Sequence, residues 1–447
     1  MPNPERMRIN EKVNSIRMPE NVKIGLMIDD HRNNCVSNKC EFDYSALAFG
    51  QSPFPVPPSL SHSLSRQTER GKYSSTIGIE PLRSAISEFH NHYFGLNTDM
   101  DDVIIGNGTS DIFFLIFSLI EGGAIIPSPS WVSYVPQLQL LGKDYHIYHT
   151  RAENGYKVDA EGLDDMLTDL ERRQHILILN SPNNPTGAVY TRKELEAIAD
   201  VCSKHGALIL SDEIYSITTF DRKSFTSMYD ILPEATFATN GLSKCFSAGG
   251  YRLGWSLLPT SFHDDVMLAF KKIATTTYTN VSTPTQYAAA EVIRPNEEME
   301  EYFNITREVH RIMGTNFSNS LNDIDGVKAT TPEGGFYTFA DLNSHRDSLV
   351  RNGVKESNDL MGDMLAHPHH IALISGESCL LEPDDFGARL AYVDYDGGAA
   401  YRDFIEDPPQ GSRSEEEFFR RCAPRMVDGV ERISRYLQDK GGMDNGG

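Results

Sequence analysis

Asn240-Gly-Leu-Ser-Lys-Cys-Phe-Ser-Ala-Gly-Gly-Tyr-Arg252 sets a lysine in a glycine-rich loop just after a β-prone run, with an arginine eight residues beyond it. Such a loop is common on its own. Three further polar clusters precede it: Gly106-Asn-Gly-Thr-Ser-Asp111, Asn180-Ser-Pro-Asn-Asn-Pro-Thr-Gly187 and Ser211-Asp-Glu-Ile-Tyr215, each closing a short apolar run. Apolar runs at 103–105, 124–126, 176–179, 207–210, 236–238 and 254–258 read as strands. Helical patterns separate them. Thr191-Arg-Lys-Glu194 is a capping-box pattern that opens a helix over 194–204, and Gly206 is placed to close it. Strands alternating with helices make a mostly parallel sheet covered by helices. In such sheets ligands gather at the carboxyl ends of the strands, which is where these clusters fall.

Working outward, the alternation ends near residue 300. A long helix follows, then a β segment around 335–339, a helix near 359–365, strands at 371–375 and 388–393, and a final amphipathic helix over 415–437. This predicts a second, smaller α+β domain. Ser52-Pro-Phe-Pro-Val-Pro-Pro58 reads as an extended connection. The expected organisation is an N-terminal arm (1–57) that contributes to the small domain, a large domain (58–314) and a small C-terminal domain (315–447). The tail 441–447 reads as unstructured.

The chain has 447 residues, room for two domains and a buried site. Its net charge of -22 repels phosphate backbones and argues against nucleic acid as a partner. No apolar run is long enough to span a bilayer, and the first 21 residues lack the apolar stretch of a secretory signal, so a cytoplasmic address is expected. The cysteines Cys35, Cys40, Cys202, Cys245, Cys379 and Cys422 form no CxxC and read as reduced thiols. His367-Pro-His-His370 has no adjoining carboxylate cluster and reads as a solvated loop, so no metal site is expected.

The order and spacing of the four clusters resemble the fold-type I enzymes that use pyridoxal 5′-phosphate (PLP), specifically the class I/II aminotransferase family. The resemblance runs from about residue 42 to residue 437. It implies an α/β large domain with a mostly parallel seven-stranded sheet beside a smaller α+β domain. Lys244 resembles the lysine that holds the cofactor as a Schiff base and then shuttles the substrate α-proton. Asp212 matches the carboxylate that keeps the pyridine nitrogen protonated, and Tyr215 and Asn184 match the partners of the ring 3′ oxygen. Gly108, Thr109 and Ser110 at a helix start, with Arg252 and Ser243, match the phosphate site. Trp131 occupies the position of the aromatic residue that stacks on the ring. Arg389 matches the arginine that pairs with the substrate α-carboxylate, Gly50 the segment closing over it, and Asn184 and Trp131 also face substrate. Tyr73 resembles the tyrosine that reaches the phosphate of a neighbouring subunit, which implies a homodimer with a shared active site. The chain departs from many relatives in carrying Gly241 where they have a hydroxyl residue.

The resemblance implies transamination, with the nitrogen of an L-amino acid passing to a 2-oxo acid such as 2-oxoglutarate. Aspartate-specific relatives bind the substrate's side-chain carboxylate with an arginine after the lysine. The corresponding stretch 271–280 has none, so a neutral or aromatic amino acid is expected, with Lys271 or Lys272 as possible substitutes. PLP lyases, cyclising synthases and amino-acid oxidases share the same residue set and remain alternatives. A PLP-domain regulator is a further alternative, disfavoured by the acidic charge.

Overall fold

The computed structural model describes residues 9–16, 18, 20–38, 43–170 and 173–441. Cys40, the side chain of Cys35 and the tail beyond Gly441 lie outside the described residues.

A seven-stranded sheet occupies the centre. Its strands are β1 (Val103–Gly106), β2 (Ala124–Ser128), β3 (Tyr145–His149), β4 (Ile176–Asn180), β5 (Leu208–Asp212), β6 (Thr236–Gly241) and β7 (Gly254–Leu257). They lie in the order β1-β7-β6-β5-β4-β2-β3, and every pairing is parallel except those of β7 with β1 and β6. Strand β3 is the one the sequence pattern misses. It forms an edge, and its Tyr-His-Ile-Tyr-His run is only half-buried, so it lacks the continuous apolar signal of its neighbours.

The strands are apolar throughout because both faces are covered. Successive side chains alternate between the faces. Ile176 and Ile178 pack with Ile112, Phe113, Ile116 and Phe117 of the helix Thr109–Leu119. Leu177 and Leu179 pack on the other side with Leu195, Ile198 and Cys202 of the helix Arg192–His205. That second helix carries the expected capping box: Thr191 and Glu194 satisfy each other's backbone N–H groups, and Gly206 closes the helix at φ 66°.

A second sheet is antiparallel, with β8 (Lys328–Ala329), β9 (Tyr337–Asp341), β10 (Ile374–Ser375) and β11 (Gly387–Ala391) in the order β10-β11-β9-β8. The expected strand at 371–375 is divided: Ile371–Ala372 pairs in parallel with Ser45–Ala46, while β10 joins the sheet. The segment before residue 50 is held there, since Leu47 O accepts from Ala391 N at 2.7 Å. The helix Glu297–Asn322 runs unbroken past residue 314 and packs against both regions. The final helix is two helices, Ser412–Cys422 and Pro424–Gly441. Proline lacks the N–H that a continuing helix needs but suits a helix's first turn. Among the described residues no helix is long and apolar enough to cross a membrane.

Candidate active site

The carboxyl ends of β1, β4, β5 and β6 open into one cavity of about 400 Å³. Ten of the predicted residues line it: Gly50, Thr109, Ser110, Trp131, Asn184, Asp212, Tyr215, Ser243, Lys244 and Arg252. Gly108 and Arg389 stand directly behind that lining. Tyr73 stands apart from it, 89% exposed, on a different surface groove.

At one end, the helix Thr109–Leu119 directs its free N–H groups at the cavity. Gly108 precedes it at φ 86°, and a side chain there would collide with the Arg252 guanidinium, 2.5 Å away. Arg252 is itself held in the left-handed region, at φ 51°, a conformation that costs a non-glycine residue energy. Its guanidinium donates to Gly249 O at 2.8 Å and Asn107 O at 3.0 Å, which fixes a positive charge beside the helix terminus. Thr109, Ser110 and Ser243 add hydroxyls to the same lining. The absence of a hydroxyl residue at 241 has a spatial cause. Gly241 pairs with Gly254 across β6 and β7, and a Cβ there would lie 2.9 Å from Leu253 O.

At the centre, Asp212 ends β5, almost wholly buried. Burial raises its carboxyl to about 6, against the lowering effects of Tyr134, the Ile214 N–H and Lys244. Tyr134 is a residue the sequence did not reveal. Fully buried, it donates to Asp212 Oδ2 at 2.6 Å and packs edge-on against Trp131 at 5.0 Å. It lies three residues beyond Trp131, in the first turn of a helix, and only the fold shows that it points inward. Asn180 was quoted in its cluster without a role. It donates to Asp212 O at 2.8 Å and accepts from Asn184 N at 2.6 Å, so it ties two strand ends together.

Lys244 leaves the end of β6 and donates to Gly50 O at 2.6 Å. Its ammonium lies 5.5 Å from the Tyr215 ring centroid and 5.6 Å from that of Phe336. On the far side, Arg389 rises from β11, buried, and donates to Asn184 Oδ1 at 3.2 Å and Ala48 O at 2.7 Å. Its Nε is buried with no protein partner, an unmet donor beside the cavity. Tyr337, also missed, lines the cavity at the start of β9. Its hydroxyl accepts from the Tyr215 hydroxyl at 3.3 Å, and the Arg389 guanidinium sits 4.7 Å from its ring centroid. Burial opposes ionisation of the Tyr337 phenol, but Lys244 and Arg389 outweigh it and draw the phenol below the ordinary tyrosine value. Tyr215, the donor of the pair, is pushed up by burial.

The site thus has an amine, a buried carboxylate, an anion cradle at a helix terminus and a second buried cation. Residues 43–392 match the sequence profile of the family described as aminotransferase class I and II. An asparagine–oxo-acid transaminase of Streptococcus mutans is 30% identical over 78% of this chain and 87% of its own length. An aspartate aminotransferase of Bacillus subtilis gives the same values. The structure of Thermus thermophilus aspartate aminotransferase with maleate superposes at a TM-score of 0.78 over 96% of this chain and all of that one, at 24% identity. This chain belongs to the aminotransferase class I and II family and is a PLP-dependent transferase.

Proposed function

We propose that the chain transfers the amino group of a neutral or aromatic L-amino acid to a 2-oxo acid such as 2-oxoglutarate, with Lys244, Asp212 and Tyr215 as the catalytic residues. The observation that carries this reading is the placement of Arg389. Its guanidinium stands directly behind the lining residue Asn184 with one buried donor unmet, so an α-amino acid in the cavity can present its carboxylate towards Arg389 and its amine towards Lys244.

The residues present fit PLP. A phosphate suits the cradle of Gly108, Thr109, Ser110, Ser243 and Arg252, where helix N–H groups and a fixed guanidinium converge. Asp212 would face the ring nitrogen, Tyr215 and Asn184 the 3′ oxygen, and Trp131 one ring face. When bound, PLP supplies an aldehyde that condenses with amines and a ring that takes up electron density from the substrate's Cα. The chain's own residues supply the rest. Lys244 Nζ removes the proton from Cα and redelivers it, Asp212 holds a negative charge against the ring nitrogen, and Arg389 fixes the carboxylate so that the Cα–H bond faces Lys244.

The substrate class follows from a count of cations. Among the described residues that line or back the cavity, the cations are Lys244, Arg252 and Arg389. Each already has a role, so within one subunit a second substrate carboxylate would lack a partner. Lys271 and Lys272 are exposed on the helix His263–Thr277 and do not reach the lining. Phe113, Trp131 and Tyr337 give the walls an aromatic character that suits an uncharged side chain. The exposed Tyr73 is read as a residue supplied to the site of a second copy, which makes the working unit a homodimer.

The test is to assay the purified holoenzyme with single amino acids, with and without 2-oxoglutarate, measuring 2-oxo acid, glutamate, ammonia and oxygen uptake. Glutamate formed in proportion to oxo acid supports transamination. Ammonia released without an acceptor sinks it in favour of lyase or oxidase chemistry. Aspartate outrunning phenylalanine and neutral substrates overturns the substrate class. Lys244→Ala is expected to abolish turnover and the visible band of the lysine-bound cofactor.

A further inference from the structure

We propose that Tyr337 is a positioning residue that couples the carboxylate-binding side of the cavity to the cofactor-binding side, its ring setting Arg389 and its hydroxyl setting Tyr215. The proposal rests on the roles read above for those two residues.

Three observations converge on this one side chain. Tyr337 is 3% exposed, and its ring stacks with the Arg389 guanidinium at 4.7 Å. Guanidinium and ring come from adjacent strands, β11 and β9, so the contact is built on rigid elements. Its hydroxyl meets the Tyr215 hydroxyl at 3.3 Å. The same hydroxyl fills the space that a side chain at Gly50 would need, and Gly50 O holds Lys244 Nζ at 2.6 Å. One residue therefore touches the segments bearing the carboxylate arginine, the 3′-oxygen tyrosine and the lysine's backbone acceptor.

The hydroxyl inventory defines what happens at that contact. A phenol has one hydrogen to donate and can also accept. In the structure Tyr215 spends its hydrogen on Tyr337. When Tyr215 donates to the 3′ oxygen of bound PLP instead, the contact persists only if Tyr337 becomes the donor. Tyr337 is suited to that reversal, because the Arg389 guanidinium over its ring, 4.7 Å from the centroid, favours release of its proton. A hydroxyl that accepts such a bond becomes a stronger donor onward. The charged and titratable groups facing Tyr337 are Tyr215, Lys244, Arg389, Cys379 and the Tyr392 phenol, and the two cations dominate. A substrate carboxylate on Arg389 offsets one of those cations. The Tyr337 proton then becomes a weaker donor, and the change reaches the 3′ oxygen through Tyr215.

Two substitutions separate the ring from the hydroxyl. Tyr337→Phe keeps the ring. It is expected to leave KM for the amino acid within about twofold, to lower kcat by roughly threefold to tenfold, and to move the midpoint of the bound cofactor's absorbance titration upward by about half a pH unit. Tyr337→Leu, or Tyr337→Met if the leucine variant does not accumulate, also removes the ring, and KM should rise a further tenfold or so. A Tyr337→Phe enzyme with the wild-type titration midpoint and kcat would overturn the coupling, as would a Tyr337→Leu enzyme with the KM of Tyr337→Phe. A wild-type protein that shows no cofactor band at all would instead refute the reading of the site on which the proposal stands.

Discussion

The two sides of the cavity are built by different means. The cofactor side is made of short contiguous stretches at the ends of neighbouring strands: residues 106–111 after β1, 211–215 at β5 and 240–252 from β6 to β7. Those four strands lie side by side in the order β1-β7-β6-β5, so the topology alone delivers these stretches to one place. The substrate side has no such segment. Gly50, Tyr337 and Arg389 come from an extended strap and two strands of the second sheet, and single contacts tie them to Lys244, Tyr215 and Asn184, the last of these a strand-end residue that serves both sides. Chemistry that must not vary is placed on rigid, sequence-local motifs. On the proposed roles, the groups that would meet the substrate are placed where separate parts of the chain come together.

Substitutions on each side should therefore fail in different ways. The largest effect is expected on the cofactor side. Asp212→Ala removes the buried carboxylate outright, and kcat should fall roughly 10²–10³-fold with a smaller change in KM. Steady-state kinetics at saturating PLP checks this, and a loss confined to KM would erase the distinction between the sides. Arg389→Lys keeps the charge but loses the planar fork. A drop of about 10- to 100-fold in kcat/KM is expected, with cofactor affinity unchanged. Equal weakening of PLP binding in that variant would mean the two sides are not separable.

The same contrast explains what could be read from the sequence. The central sheet and the lysine, aspartate and glycine clusters were legible because apolar strands, turns and charged residues recur within a few positions of one another. Strand β3 was not, since an edge strand with two histidines in five residues carries little apolar signal. The break at Pro424 was hidden because the amphipathic pattern continues across it into a new helix. Arg389 could be named only through resemblance, because nothing in Gly387-Ala-Arg-Leu-Ala391 states which strand lies beside it. Tyr134 and Tyr337 were missed for a common reason. A buried tyrosine is usually core, and its hydroxyl gains a role only when the partner, Asp212 or Tyr215, arrives from a distant part of the chain.

Tyr134 sharpens the comparison from within the cofactor side. Its hydroxyl stabilises the charged form of Asp212, so Tyr134→Phe should raise the Asp212 pKa above about 6. The sign is fixed by the chemistry: loss of a donor favours the protonated acid, which cannot hold a proton on the ring nitrogen. The acidic limb of the kcat profile should move upward by roughly half to one pH unit, with kcat near pH 8 changed about threefold or less. An unmoved limb would show that Asp212 is not the group that titrates there.

The smallest effect is expected far from either side, and it is what makes the others interpretable. Thr191 caps the helix Arg192–His205, where its hydroxyl oxygen accepts from Glu194 N while the Glu194 carboxylate accepts from Thr191 N. Thr191→Ala leaves the first of these backbone donors unmatched, and the loss should amount to about 1 kcal/mol of stability. The helix packs on the sheet face opposite the helix that bears Thr109, so the site should not register the change. Thermal unfolding should shift by a few degrees at most, with KM, kcat and the cofactor titration as in the wild type. If Thr191→Ala instead reproduced even a fraction of the KM defect of Arg389→Lys, that defect would report general loosening of the fold. The separation of the two sides would then have to be sought at matched stability.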